Sequence, residues 1–389
     1  MSKLTFKALN KDNVSDCIRG WVSAFPSWKA EDALKQAKKN IQTMYYFGAY
    51  EGNTLKGVIV GAETRFCYRG KVVKDMELEH IHVEPLYRKQ GVSRFMIEEF
   101  EKFVYGLGYS VINLGPFNTE FYRNMGYGFG PKTLSFSSKP ENFMYYDDSC
   151  NKLKLYKSKE YKDELKSFLL YQRTDYHGSW SYNSISFNEL FDELSHENYV
   201  VIMHIEDSKI CGVLSYKADK EIIVDNFFFD TPSALKALSS YLHTLKGNTK
   251  SITIKYAQPA ILCSCNNPYD ITLSEISMIK IINIRKFIDE LSDIDFANYN
   301  LNMKFILHNT LNQECNSVYI SCCKGKLRIS ESNKFDVEIK MLLSDFSSLL
   351  FSQQSFKTYI QAGLAKISDK KYIDIVSYIF NYTDTPYVV

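Results

Sequence analysis

Leu78-Glu-His-Ile-His-Val-Glu-Pro-Leu-Tyr-Arg88-Lys-Gln-Gly91-Val-Ser-Arg94 is the stretch from which the rest of the chain can be read. It opens on the end of an apolar run, Val72 to Val83, that reads as a strand. Pro85 stops the strand, because proline has no N–H to give to a sheet ladder. From Val92 to about Tyr105 the residues Phe95, Met96, Glu99, Phe100 and Phe103 recur at helical spacing, and Gly106 to Gly108 ends that helix. A strand therefore passes through a short loop, Arg88-x-x-Gly91-x-Ser93, straight into a helix. The N–H groups of a helix start point outward and carry partial positive charge, so the turn is suited to an anion. Gly91 lets backbone approach a phosphate closely. Arg88 can add charge-assisted hydrogen bonds.

Outward from this stretch the pattern is regular. Upstream, Cys17, Ile18, Trp21, Val22 and Phe25 mark a helix over Asp16 to Phe25, and a polar-rich helix follows over Ala30 to Thr43. Tyr45 to Tyr50, Leu55 to Glu63 and Val72 to Val83 read as an antiparallel meander, punctuated at Gly52-Asn53 and Arg69-Gly70. Downstream, Ser110 to Leu114 is a short buried strand before Gly115-Pro116.

A second unit from Lys152 repeats this order. It has helices at Lys159 to Gln172 and Phe187 to Leu194, and a hairpin of Tyr199 to Ile205 and Ile210 to Lys217 around Asp207-Ser208. A strand at Ile222 to Phe229, a helix at Ser233 to Leu245 and a strand at Ser251 to Tyr256 complete it. Its crossover loop, Asp230-Thr-Pro-Ser233, holds neither glycine nor arginine, and so cannot cradle a phosphate in the same way. A third unit begins near Ile281. Strand-like runs at Asn302 to Leu307, Ser317 to Cys322, Lys326 to Ile329 and Phe335 to Leu342 precede helices at Leu343 to Phe351, Phe356 to Ala365 and Lys371 to Asn381. Strands first and helices last indicate a small α+β domain.

The strand, loop, helix and short strand together resemble motif A of the GNAT N-acetyltransferases, which bind acetyl-CoA there, its pantetheine arm lying where two neighbouring strands part. Further on, Phe121-Tyr122-Arg-Asn-Met-Gly126-Tyr127-Gly128-Phe-Gly130 is similar to the Y-x-x-x-G-Y-G signature of the Eis-type acetyltransferases. The glycine-poor second unit, the Met278-Ile-Lys-Ile-Ile-Asn-Ile-Arg-Lys segment and the α+β tail extend the resemblance to the whole chain. It implies an α+β and α/β architecture: two GNAT-type mixed-sheet domains, residues 1–150 and 151–285, and a domain like sterol carrier proteins over 286–389.

By motif position, the resemblance implies that Ile81, His82 and Val83 bond the pantetheine arm through backbone groups. Arg88, Lys89, Gln90, Gly91, Val92, Ser93 and Arg94 would hold the pyrophosphate, and Phe117 and Asn118 would contact the cofactor farther along. Tyr122 would be the general acid, and the terminal carboxylate, here on Val389, the base. The family often ends in an aromatic residue and often has Gly or Ala where Ser93 stands. The implied reaction is direct transfer of acetyl from acetyl-CoA to an amine, on an aminoglycoside-like or lysine-type acceptor. A tyrosine with a reference pKa of about 10, above about 8.5 for a thiol, stays protonated and can protonate the leaving thiolate. Eis-type relatives form hexamers, so a homo-oligomer is expected.

Other readings stand beside this one. Glu77, Glu79, His80 and His82 are rival bases on the same strand; period-two alternation puts the two glutamates on one face and the two histidines on the other. Trp21, Phe25 and Trp28 either wall the acceptor site or pack the core. A non-catalytic acyl-CoA- or lipid-binding protein is the alternative function, against which the intact loop and Tyr122 argue.

Composition narrows the classes further. The chain has 389 residues, 45% hydrophobic and 24% charged, which excludes wholesale disorder. Lys+Arg 47 against Asp+Glu 45 leaves a net charge of +2, with no global field for nucleic acid or an anionic membrane. No apolar run reaches the roughly 18–20 residues of a membrane span. The opening MSKLTFKALNKDN lacks the apolar core of a secretory signal, so a soluble, cytoplasmic protein is expected. Nine cysteines, odd in number and without a C-x-x-C pair, read as buried free thiols. His80-x-His82 supplies too few ligands for a metal site, and none is expected.

Overall fold

The computed structural model describes residues 4–24, 29–157, 160–175, 180–181, 191, 194, 198–217, 221–275, 277–351 and 354–381. The chain opens with strand β1 (Thr5–Ala8), helices α1 (Ile18–Ala24) and α2 (Ala30–Asn40), and strands β2 (Met44–Glu51), β3 (Thr54–Tyr68) and β4 (Lys71–Val83). Helix α3 (Val92–Gly106), strand β5 (Val111–Leu114), helix α4 (Thr119–Asn124) and strand β6 (Gly128–Phe129) follow. Next come β7 (Lys132–Ser138), β8 (Leu153–Leu155), α5 (Lys162–Asp175), β9 (Trp180–Ser181), β10 (Tyr199–Glu206), β11 (Lys209–Lys217) and β12 (Ile222–Phe229). Helix α6 (Pro232–Thr244), β13 (Ile252–Ile254), α7 (Pro259–Leu262), β14 (Tyr269–Glu275) and β15 (Met278–Ile281) lead to the last part. That part holds α8 (Ile284–Glu290), β16 (Leu301–His308), β17 (Cys315–Cys323), β18 (Lys326–Ile329), β19 (Val337–Leu342), α9 (Leu343–Phe351), α10 (Phe356–Gln361), β20 (Ala365–Ile367) and α11 (Ile373–Phe380).

One compact unit comprises residues up to 64, 74–130 and 277–381. Its main sheet runs β1-β2-β3-β4-β5-β15-β6. Among the described pairings of this sheet only β4 and β5 are parallel, joined by the α3 crossover. Helix α3 buries Val92, Met96, Ile97, Phe100 and Val104 on the sheet. Two glycines of β3 permit the close approach: a Cβ at Gly57 would lie 2.9 Å from Met96 Cε, and one at Gly61 2.4 Å from Phe100 Cζ. Full burial of a phenylalanine such as Phe100 contributes roughly 1.5–3 kcal/mol. The other face of the sheet carries a second core, with Val14, Cys17, Trp21, Ala33, Tyr46, Val58 and Val60 under α1 and α2. The same unit holds a five-stranded sheet, β18-β17-β16-β19-β20, in which only β16 and β19 are parallel.

The other unit comprises 65–73 and the described residues of 131–276. Its sheet runs β14-β7-β13-β12-β11-β10-β8 and repeats the plan of a meander, a crossover helix and a parallel strand: Ile222 pairs Ile252 across β12 and β13. The hairpin between β10 and β11 turns on Asp207 (φ 48) and Ser208 (φ 62), the two left-handed residues of a tight hairpin turn. The architecture is thus mixed α/β, with two GNAT-like folds and a third sheet domain.

Several elements differ from the sequence reading. Strand β3 runs five residues past Glu63, to Tyr68. The helix expected to reach Ala365 ends at Gln361; Gly363 takes φ 72 and the chain turns into β20, paired with β19. Strands β1, β7 and β14 were not anticipated. The helix expected over Phe187 to Leu194 falls largely outside the described residues. The cysteines are all free, but Cys263, Cys315 and Cys323 are exposed instead of buried. No helix among the described residues is long and apolar enough to cross a membrane.

Candidate active site

Strands β4 and β5 pair at only two rungs, Met76 with Ile112 and Glu77 with Asn113. Buried Asp75 ties this end together: it accepts from Thr64 Oγ1 at 2.8 Å, and from the Asn113 amide. Beyond it β5 stops at Leu114 while β4 continues to Val83. The carbonyl of His82 faces β3, where a Cβ at Gly57 would meet it at 2.7 Å, and Glu84 N–H donates to Lys56 O at 2.9 Å. Alternation along the strand then turns the backbone groups of Ile81 and Val83 to the opposite edge, into the gap left by β5. A cleft of ≈ 540 Å³ occupies that gap.

Of the residues expected around a cofactor, Ile81, His82, Val83, Arg88, Lys89, Val92, Ser93 and Phe117 line this cleft. Tyr87 and Phe121 line it too and were missed; both are aromatics next to recognised motif positions. The loop reaches the helix through two left-handed residues, Lys89 (φ 59) and Gly91 (φ 80). Phe95 N–H makes the first helical bond, to Gly91 O at 3.0 Å, so the N–H groups of Val92, Ser93 and Arg94 have no acceptor within the helix. Arg88 Nε donates to Val83 O at 3.2 Å, and Gln90 Nε2 to Leu86 O at 3.0 Å. Two expected residues are engaged elsewhere. The Arg94 guanidinium donates to Leu311 O. Asn118 is the N-cap of α4, its side chain accepting from Phe121 N–H at 2.9 Å.

Tyr122 sits on α4, 2% exposed. Its ring lies 5.4 Å from Phe117, 5.0 Å from Phe121 and 6.0 Å from Tyr127. Burial raises its hydroxyl pKa above the usual range. The spacing to the glycine has a physical reason: Gly126 takes φ 88, and the N–H groups of Met125 and Tyr127 both bond Tyr122 O, at 2.9 and 3.0 Å. The tyrosine and glycine are the two ends of a left-handed helix stop.

The opposite face of β4 corrects the period-two reading. Met76 and Leu78 belong to the core under α3, and Ile81 and Val83 pack against that same core. The strand therefore slips by one residue between Leu78 and Ile81, as at a β-bulge. Glu77, Glu79, His80 and His82 consequently share the α1 face. The His80 ring is 5.7 Å from Trp21. The hydroxyl of Tyr46 in the α1 core is raised by burial, by Cys17 and by Glu79. Burial, Glu79 and Asp75 push Glu77 up to about 8. Burial, then His80 and Arg88, hold His82 down at about 4, so it is neutral at pH 7. Its ring lies over Gly20, where a Cβ would come within 1.9 Å of Nε2. Trp21 is 2% exposed in the α1 core, while Phe25, Trp28 and Val389 lie outside the described residues. Among the described residues no group of three or more His, Cys, Asp or Glu is placed to hold a metal ion.

Residues 5–130 match the family model of the acetyltransferase (GNAT) domain. The first domain is a GNAT acetyltransferase domain. It makes the protein an enzyme of the acyltransferase class, and GNAT domains use acetyl-CoA as co-substrate. No curated protein matches the chain by sequence. Solved structures match nearly end to end at low identity. A conserved protein from Enterococcus faecalis V583 is 14% identical with a TM-score of 0.85, covering 100% of this chain and 99% of that one. A GCN5-related N-acetyltransferase from Anabaena variabilis is 12% identical at 0.82, covering 99% of each. Eis1 from Mycobacterium abscessus is 16% identical at 0.81, again covering 99% of each. These likenesses extend the shared fold beyond the GNAT domain to all three sheets.

Proposed function

We propose that the chain transfers acetyl from acetyl-CoA to an amine in the cleft of its first GNAT domain, as Eis-type enzymes do. The observation that carries this reading is the early end of β5 beside β4. It opens the β4 edge at Ile81 and at the Val83 N–H to an amide-bearing arm, the Val83 carbonyl being engaged by Arg88 Nε, directly below a helix start suited to a pyrophosphate. The amine nitrogen attacks the thioester carbonyl carbon, and the C–S bond breaks as the tetrahedral intermediate collapses. Backbone donors of β4 stabilise the oxyanion. Tyr122 gives its proton to the departing thiolate, and a base takes the proton lost by nitrogen. The acceptor is proposed to be an aminoglycoside-like polyamine or a lysine side chain. Thiol release from acetyl-CoA across a panel of amines tests the reading; no release with any amine in the presence of bound cofactor would overturn it.

The second GNAT-like fold is expected not to share the activity. At its crossover, Thr231 Oγ1 accepts from Ala234 N–H at 3.1 Å and Pro232 stands in the first turn, so the helix start is already capped. Calorimetric titration should therefore give one acetyl-CoA per chain. A stoichiometry of two would refute this assignment.

The base is proposed to be the Val389 carboxylate, ionised at neutral pH with a reference pKa of about 3.3–3.7. Adding a few residues after Val389 should abolish turnover without lowering the melting temperature, whereas Val389→Phe should retain activity. Full activity in the extended chain would move the role to Glu79, Glu77 or bulk water.

A further inference from the structure

Helix α4 has six residues, far fewer than the roughly 12–15 at which an isolated helix becomes even marginal in water. Its geometry must come from outside, and the five-stranded sheet domain supplies contacts along the segment that follows Tyr122. Arg123 Nη2 forms an ion pair at 2.8 Å with Asp345 Oδ1 of α9; the Asp345 side chain is 1% exposed. Thr310 Oγ1 donates to Arg123 O at 3.2 Å. Phe129 N–H donates to Ser348 Oγ at 2.6 Å. A Cβ at Gly126 would lie 2.9 Å from Asn309 Oδ1, and one at Gly128 2.0 Å from Ser344 O, so the two glycines of the motif are seats for this domain. Lys280 of β15 closes the turn from beneath: Nζ donates to Met125 O at 3.0 Å and to both Glu101 oxygens at 2.8 Å.

From these contacts we infer that Asp345 is a positioning residue for the acyl transfer, holding Tyr122 through Arg123, and that the third sheet domain serves the first as a frame for its acid. This rests on Tyr122 as the general acid. A catalytic group must be held to within about 0.5 Å. A misplacement of about 1 Å can cost on the order of 10²-fold in rate. Arg123, next to Tyr122 on this short helix, ties it laterally to α9. Each of these third-domain contacts falls on residues 123–129, directly after Tyr122, so the third sheet domain holds the segment that carries the acid.

The test is a double-mutant cycle on turnover with a saturating amine. Asp345→Asn keeps the shape but removes the charge, and Thr310→Val removes the second contact more mildly. Each should lower kcat, Asp345→Asn by about 10-fold or more, with the KM for acetyl-CoA within twofold of the parent. In a Tyr122→Phe background the same substitutions should change kcat by less than about twofold, because the group they position is gone. Equal losses in both backgrounds would overturn the inference, showing that Asp345 acts through something other than the hydroxyl. Undiminished kcat in Asp345→Asn and in Thr310→Val would overturn it as well. If Asp345→Asn fails to fold, Thr310→Val carries the cycle alone. Normal turnover in Tyr122→Phe by itself would instead remove the acid assignment, a result separable from the two others.

Discussion

Replacing Gly91 by glutamate should reduce acetyl-CoA binding by about 10² or more and leave the protein folded. A Cβ at this position meets nothing within 4 Å, so steric clash with the protein is not the cause. Two other effects act. Gly91 holds φ 80, a left-handed conformation that costs a side-chain-bearing residue about 1–2 kcal/mol. The new carboxylate would also sit at the start of α3, where a pyrophosphate is expected. At about 4 Å, with an effective dielectric constant near 20, each like-charge pair is worth roughly 4 kcal/mol, and about 2.7 kcal/mol already corresponds to 10² in affinity. A carboxylate at a helix N-terminus is otherwise favourable, so the fold survives. Calorimetry on the variant should show no saturable heat. Gly91→Asn, uncharged and tolerant of the left-handed region, should bind with an intermediate affinity. Parental binding by Gly91→Glu would place the pyrophosphate elsewhere.

Tyr122→Phe should lower kcat by about 10² or more while acetyl-CoA affinity changes little. The ring is packed by Phe117, Phe121 and Tyr127, and phenylalanine keeps all three contacts. Only the hydroxyl is lost, and it is needed only as the thiolate departs. Burial raises the hydroxyl pKa, so the tyrosine remains protonated throughout the neutral range, and its titration produces no alkaline limb there. Pre-steady-state thiol release, compared with the parent at equal cofactor occupancy, isolates the step. Turnover within a factor of two of the parent would assign the proton to water or another group.

The meander, the crossover helix and the loop were legible because each is written locally. Alternation marks β2 and β10, helical spacing marks α3, and Gly91 marks a backbone conformation that few other residues adopt. The hairpin at Asp207-Ser208 and strands β12 and β18 fell where turn chemistry and apolar runs put them. What escaped depends on partners distant in sequence. Strand β20 has only three residues, and pairing with β19 makes it a strand. The shared face of Glu79 and His80 was invisible because a one-residue slip leaves no mark in composition. The capping role of Asn118 was present in the sequence as an N-cap followed by a short helix, and was overlooked beside the family motif. The contacts of Arg94 with Leu311 and of Arg123 with Asp345 join residues more than two hundred positions apart, a separation no local pattern reports.

Strand β15 lies between β5 and β6, yet the chain makes it only after the whole of the second sheet. A ribosome emitting residues in order cannot complete the catalytic sheet when residue 130 emerges. At about 5–20 residues per second the nascent first domain waits on the order of ten seconds for its missing strand. During that interval the edge of β5 is open and Glu101 has no Lys280 to neutralise it. A fragment cut at the end of the GNAT match should behave like this arrested intermediate: sticky along one edge, and rescued by the remainder of the chain supplied in trans.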